Sequence, residues 1–425
     1  MKTRAVRLYG KNDLRLEEFE LPPITDDEIL AKVVTDSICL SSYKAVNQGP
    51  EHKRIPADVA VNPVIIGHEF AGEIIQVGAN WQHKFSPGQK YSIQPAIYYE
   101  EGPVGILSAP GYSYRYIGGD ATYVIIPKDV LVQDCLLVYD GPGFYPASLA
   151  EPLSCVIGAM HACYHTTPGS YVHTMEIARG GRMAILAGAG PMGLAMINYV
   201  ICREDRRPSL CVVTDIDQTR LDRSAGIMTP EWARSMGIEL VYVNTADMDD
   251  PVKSLRDMTG GSGYDDVFVL APVTALIEQG DALLAFDGCL NFFAGPSDPG
   301  LKAKMNFYNV HYGYTHVVAT SGGNNNDIAE ALDILSRGLD PGGLVTHIGG
   351  LNAVAETTLN LPGIPGGKKL IYTHIDMPLT PLDGFGVLGE SDPFFAELDR
   401  LVKTNKGLWN IEAEAYLLNH YGLDK

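Results

Sequence analysis

An apolar run from Met183 to Ala187 breaks into Gly188-Ala189-Gly190-Pro191-Met192-Gly193 and continues as Leu194 to Ile201, and this leaves the chain few ways to fold. The order is strand, tight turn, helix. Glycines at 188, 190 and 193 allow the turn and let the backbone approach a pyrophosphate, which N–H groups at the helix start can hold. A second apolar strand, Leu210 to Thr214, ends in Asp215, at roughly the 20-residue offset expected of a ribose-binding carboxylate. Further strand-like runs at Glu239–Val243, Asp266–Leu270, Gly288–Phe293 and His316–Thr320 suit the same sheet. The expected fold class is therefore α/β, a doubly wound parallel sheet that binds a dinucleotide through Gly188, Gly190, Pro191, Met192, Gly193 and Asp215. Asp215 favours NAD, because a 2′-phosphate would meet its carboxylate. Arg220, five residues on, leaves room for NADP.

A chain of 425 residues at 46% hydrophobic can bury a large core in two domains. Its net charge of −19 argues against nucleic acid or an anionic membrane surface as partner. Met1-Lys2-Thr3-Arg4 leads into alternating strand residues rather than an apolar leader, and no apolar run approaches the ~20 residues of a membrane span. Seven scattered cysteines without a Cys-x-x-Cys pair suit a reducing cytoplasm.

Candidate metal chemistry lies in the first third of the chain. Cys39 follows the strand-like stretch that begins at Ile29, His68 and Glu69 stand in Gly67-His68-Glu69-Phe70, and Glu151 comes later in Ala150-Glu151-Pro152-Leu153. Together they supply a thiolate, an imidazole and carboxylates, a donor set that zinc accepts. Leu153 to Tyr164 has helical spacing and is expected to bridge the two domains. His161 and His165, four apart on one face of it, are read as histidines of the helix surface or of an interface.

The segments Ser-Ile-Cys-x-Ser, Gly-His-Glu-Phe-Ala-Gly-Glu-Ile-Ile-x-Val-Gly, Ala-Glu-Pro-Leu and Gly-Ala-Gly-Pro-Met-Gly occur in that order. In this the chain resembles the zinc-dependent medium-chain alcohol and polyol dehydrogenases over roughly residues 1 to 375. The resemblance implies a GroES-like, mostly-β catalytic domain in two parts, residues 1–154 and 324–425, flanking a Rossmann coenzyme domain at 155–323. It implies that Cys39 and His68 bind a catalytic zinc, with Glu69 a direct or exchanging ligand. Glu151 would be a ligand or would hold the water on the metal, and Ser41 would be the proton-relay hydroxyl. It also implies a homo-oligomer, a dimer or a tetramer.

One departure matters. Lys90 to Val130 contains no cysteine, so the four-cysteine structural zinc of many relatives is excluded. Tyr98, Tyr99, Tyr112, Tyr114 and Tyr116 stand in that lobe and are expected to pack over one another. Residues Ile328 to Ser336 read as a helix capped by Asn326 or Asp327. Phe394 to Asn405 is amphipathic and is expected to dock on the core or on a neighbouring subunit.

Over the full length, cysteine-free lobe and long tail included, the chain is most similar to the bacterial L-sorbose-1-phosphate reductases. That implies exchange of hydride between a nicotinamide nucleotide and a ketose phosphate, interconverting L-sorbose 1-phosphate and D-glucitol 6-phosphate. Lys44 and Arg115 are the expected phosphate contacts. The alternatives are a dehydrogenase of unphosphorylated polyols and a non-catalytic nucleotide-binding protein.

Overall fold

The computed structural model describes residues 1–423. The chain forms two compact units, one from Met1–Glu151 together with the segment that begins at Asn324, the other from Pro152–Gly323.

The first unit is built on the strand Ile29–Ile38. It pairs antiparallel with Phe70–Val77, Tyr123–Ile126 and Lys368–Tyr372, which places residues from both ends of the chain in one sheet. Ile29, Ala31 and Val33 are fully buried in a core with Ile74, Val124 and Ile126. This sheet has eight strands. A smaller three-stranded sheet is formed by Lys2–Gly10, Asp13–Glu20 and Val64–Ile65. The first two form a hairpin across Gly10-Lys11-Asn12-Asp13, where Asn12 takes the left-handed conformation at φ 57°.

The tail docks on its own chain. Helix Pro393–Thr404 buries Phe394, Leu398, Leu401 and Val402 against Leu370, Tyr372 and Trp409. The five lobe tyrosines do not pack over one another as expected. Tyr112 lies on His68 and His52, Tyr116 on Phe19, Tyr114 donates to Asp129, Tyr99 donates to Glu101, and Tyr98 is exposed. The hydroxyls of Tyr99, Tyr112 and Tyr114 each find a separate polar partner, which a shared stack would not supply.

The second unit holds a six-stranded, all-parallel sheet. Its order in space is Glu239–Asn244, Leu210–Asp215, Arg182–Leu186, Tyr264–Val269, Leu284–Phe292, His316–Val318. The order reverses on either side of Arg182–Leu186, the strand before the glycine turn, as a doubly wound sheet requires. The expected long helix runs Ala150–Ala162 and stops before His165. His165 instead lies in a two-residue strand, Tyr164–His165, so the two histidines do not share a helix face. The helix Asn325–Ser336 is capped by Asn324 rather than by Asn326 or Asp327. The Asn324 side chain accepts from Asn326 and Asp327, and Asp327 returns a bond to the Asn324 N–H, which closes a reciprocal capping box.

Candidate active site

Two turns of the first unit bring Cys39, His68 and Glu69 together. Cys39 stands between the strand Ile29–Ile38 and the helix Leu40–Gln48, while His68 and Glu69 follow Gly67 and precede the strand Phe70–Val77. Gly67 needs its φ of 90°, and a Cβ there would strike the Asp120 backbone at 2.7 Å. The donor atoms of Cys39, His68 and Glu69 lie within 4.8 Å of one another. Glu151 is buried at the start of its helix and acts electrostatically on His68, Glu69 and Cys39, but its carboxylate is outside that close set.

His68 is 5% exposed, and burial holds its imidazole below the ordinary value and so neutral. Ser42 Oγ lies 3.2 Å from Nδ1, while Ser41 Oγ and Tyr112 OH lie 3.2 and 3.3 Å from Nε2. Nε2 thus meets Ser41 and Tyr112, and Ser42 stands at the opposite ring nitrogen. Ser41 Oγ is also 3.0 Å from Cys39 Sγ.

Glu69 is 1% exposed, and both of its oxygens accept from Lys368 Nζ. Ser37 Oγ donates to the same carboxylate. Burial works against the Glu69 charge, but Lys368 overcomes it and holds the carboxyl below its usual range. Lys368 opens the strand Lys368–Tyr372, which pairs with Ile29–Ile38. It escapes a reading of the sequence, because a lysine beside Lys369 looks like a solvated cation.

The donor chemistry fits zinc. A thiol, a neutral imidazole and the Glu69 carboxylate converge, and the buried Glu151 stands outside that close set. Burial pushes Glu151 up to about 7, with Glu69 and Cys39 adding to the effect, so a cation placed among them would relieve it.

Of the cations expected at a phosphate, Lys44 is half-buried on the helix that carries Ser41, one turn further on. Arg115 is exposed and lies over the Tyr116 ring at 5.4 Å. Arg54 was not anticipated. It is half-buried, sits 5.8 Å from the centre of the Tyr112 ring and acts electrostatically on His68.

In the second unit, the strand Arg182–Leu186 passes through Ala187, at φ 56°, into the helix Pro191–Cys202. A Cβ on Gly193 would stand 1.8 Å from Gly188 O, so only glycine lets helix and strand approach this closely. At Gly190, by contrast, a Cβ would meet nothing within 4 Å, which leaves the helix start open toward a ligand. Pro191 and Met192 form the first turn. Asp215 ends its strand and accepts from the N–H groups of Ala189, Ile216 and Asp217, which ties the glycine turn to the next loop. Arg220 is exposed and turned to Asp217 at 3.5 Å.

Residues 25–135 match the alcohol dehydrogenase GroES-like domain family and residues 211–337 match the zinc-binding dehydrogenase family. The chain is 50% identical to the L-sorbose 1-phosphate reductase of Klebsiella pneumoniae, covering 98% of each chain. It is 49% identical to the mannitol-1-phosphate 5-dehydrogenase of Aliivibrio fischeri, covering 99% of this chain and 98% of that one. Among solved structures, the 2R,3R-butanediol dehydrogenase of Bacillus subtilis shares the fold, with a TM-score of 0.68 at 20% identity over 88% of this chain and all of that one. The chain belongs to the zinc-binding medium-chain dehydrogenases and is an oxidoreductase whose cofactors are zinc and a nicotinamide nucleotide.

Proposed function

We propose that this enzyme reduces a ketose phosphate to the corresponding hexitol phosphate and reverses the reaction, with L-sorbose 1-phosphate and D-glucitol 6-phosphate as its pair. The carbonyl carbon gains a hydride and its oxygen a proton, while the reduced nucleotide is oxidised. The observation that carries the redox reading is the convergence of Cys39, His68 and Glu69. The phosphorylated substrate is supported by the names of two relatives that each match nearly the whole chain.

Cys39 and His68 would hold the zinc, with Glu69 or Glu151 as a third donor. When bound, the zinc supplies a Lewis acid for the reacting oxygen and the nicotinamide supplies or receives the hydride. Ser42, 3.2 Å from Nδ1, holds the His68 ring from behind. Ser41, within hydrogen-bond reach of both Cys39 and His68, takes the proton of the substrate hydroxyl and passes it on. Lys368 keeps Glu69 ionised and in place, so Glu69 reaches a metal only by loosening one oxygen from that ammonium. Gly188, Gly190 and Gly193, with Pro191 and Met192, cradle the pyrophosphate. Asp215 takes the ribose and so prefers NAD, since Arg220 turns toward Asp217.

Lys44 and Arg54 are the proposed phosphate contacts, and Arg115 is the comparison. Lys44→Ala and Arg54→Ala should each raise the KM for L-sorbose 1-phosphate at least tenfold and leave turnover of free L-sorbose unchanged, whereas Arg115→Ala should change neither. Equal losses on both sugars would remove the phosphate role. A panel that includes mannitol 1-phosphate tests the second reading, which the 49% identical relative favours. Activity confined to unphosphorylated polyols would overturn the substrate class.

A further inference from the structure

The second unit contains another group of metal-ligating side chains that the redox chemistry does not use. The sulfurs of Cys163 and Cys289 and a carboxylate oxygen of Asp266 lie within 4.8 Å of one another. Both cysteines are fully buried and Asp266 is 2% exposed. The topology accounts for the meeting. Asp266 and Cys289 are register partners on neighbouring parallel strands, and Cys289 is in turn the partner of His316. Partners in register project to one face of a sheet. Cys163 arrives on that face just past the end of the helix Ala150–Ala162.

Each of the three donors is held from behind by a different group. Asn291 Nδ2 donates to Cys163 Sγ at 3.7 Å. His165 Nε2 lies 3.2 Å from Asp266 Oδ1, and the Ala178 N–H donates to Oδ2 at 2.8 Å. His316, the register partner of Cys289, stands beside that cysteine.

The histidines themselves are not donors to a cation. The two ring nitrogens of His316 face the carbonyls of Tyr314 and Tyr164, at 2.9 and 2.6 Å. Those of His165 face the Asp287 carbonyl and Asp266. All four ring nitrogens are thus turned to oxygen atoms of the protein rather than to the two sulfurs. Cys163 Sγ donates to the Ala159 carbonyl at 3.5 Å, which ties it to the last turn of its helix. An oriented, outer-bonded set of two sulfurs and a carboxylate is the pattern of a ligand shell with its supporting shell in place.

We infer that Cys163, Cys289 and Asp266 bind one thiophilic divalent cation, zinc or a congener, in the coenzyme unit and independently of Cys39 and His68. Two thiolates select such an ion over magnesium or calcium. Binding leaves both cysteines as thiolates, and the thiol protons they carry are released to solvent. Three protein donors leave a fourth tetrahedral position open.

The test uses the full-length chain carrying Cys39→Ser, stripped of metal under reducing conditions and titrated with Co2+ alone. A near-ultraviolet thiolate-to-cobalt absorption should saturate at one equivalent per chain. It should disappear when Cys163→Ser and Cys289→Ser are added, and Asp266→Asn should weaken Co2+ binding at least tenfold. If the double serine change prevents folding, Cys163→Ala alone must also weaken Co2+ binding at least tenfold. Absence of the thiolate band in the Cys39→Ser protein, or its persistence without Cys163 and Cys289, would overturn the site.

Discussion

Glu69 and Lys368 form a pair whose side chains are 1% and 7% exposed. Such a pair adds little net stability, but removing one partner leaves the other charged and dry, at about 3–5 kcal/mol. Lys368→Met should therefore lower the unfolding free energy by about that amount in denaturant titrations, and adding Glu69→Gln should recover part of it. If the single and double variants were equally unstable, the two charges would not be coupled. The same residues show what can be read from sequence. Cys39, His68 and Glu69 each lie in a short motif where strand, turn and glycine fix the backbone locally. Lys368 acquires its meaning only through a strand pairing that spans most of the chain, and nothing in its neighbours announces that.

At the scale of elements, amphipathic spacing revealed the tail helix but not its seat, because apolar residues at helical intervals specify a face and no partner. The seat is polar at its centre. Glu414 accepts from the N–H groups of Phe144 and Tyr145 at 2.7 and 2.8 Å and from Tyr372 OH at 3.0 Å, and Trp409 donates to the same hydroxyl. Glu414→Leu leaves two buried N–H groups without acceptors and should cost about 3 kcal/mol. Burial raises the Glu414 carboxyl to about 7, against the pull of those N–H groups. The folded chain thus holds a proton there that the unfolded chain has released, and wild-type stability falls as pH rises from about 4.5 to 7. In Glu414→Gln that component of the slope should be missing; parallel stability curves for the two proteins would refute the assignment. The parallel sheet lies at the opposite extreme of legibility, because glycines, apolar runs and a terminal acid repeat the same message within about forty residues.

Across the whole molecule, protons pull stability in two directions. Burial, with Lys32 nearby, holds His374 down at about 4 while its Nε2–H donates to Thr122 O. Below its ordinary value of 6.5 the unfolded chain takes up a proton that the folded chain refuses, so acid destabilises. Asp120, raised by burial to about 8, and Glu414 act with the opposite sign over the same range. His374→Gln removes one opposing contribution. The variant should gain stability relative to wild type as pH falls from 6.5 toward 4.5, measured by thermal melts at both values. A gap that does not change with pH would exclude the histidine.

The reach of Lys368 back to Glu69 also bears on how the protein is made. The two residues are 299 positions apart. At about 5–20 residues per second, a ribosome delivers the ammonium roughly 15–60 seconds after the carboxylate. Throughout that interval the nascent first unit has a glutamate without its Lys368 counter-ion, and the whole coenzyme unit is translated before the ammonium arrives. Premature termination between codons 323 and 368 therefore delivers the whole coenzyme unit but leaves Glu69 without its ammonium.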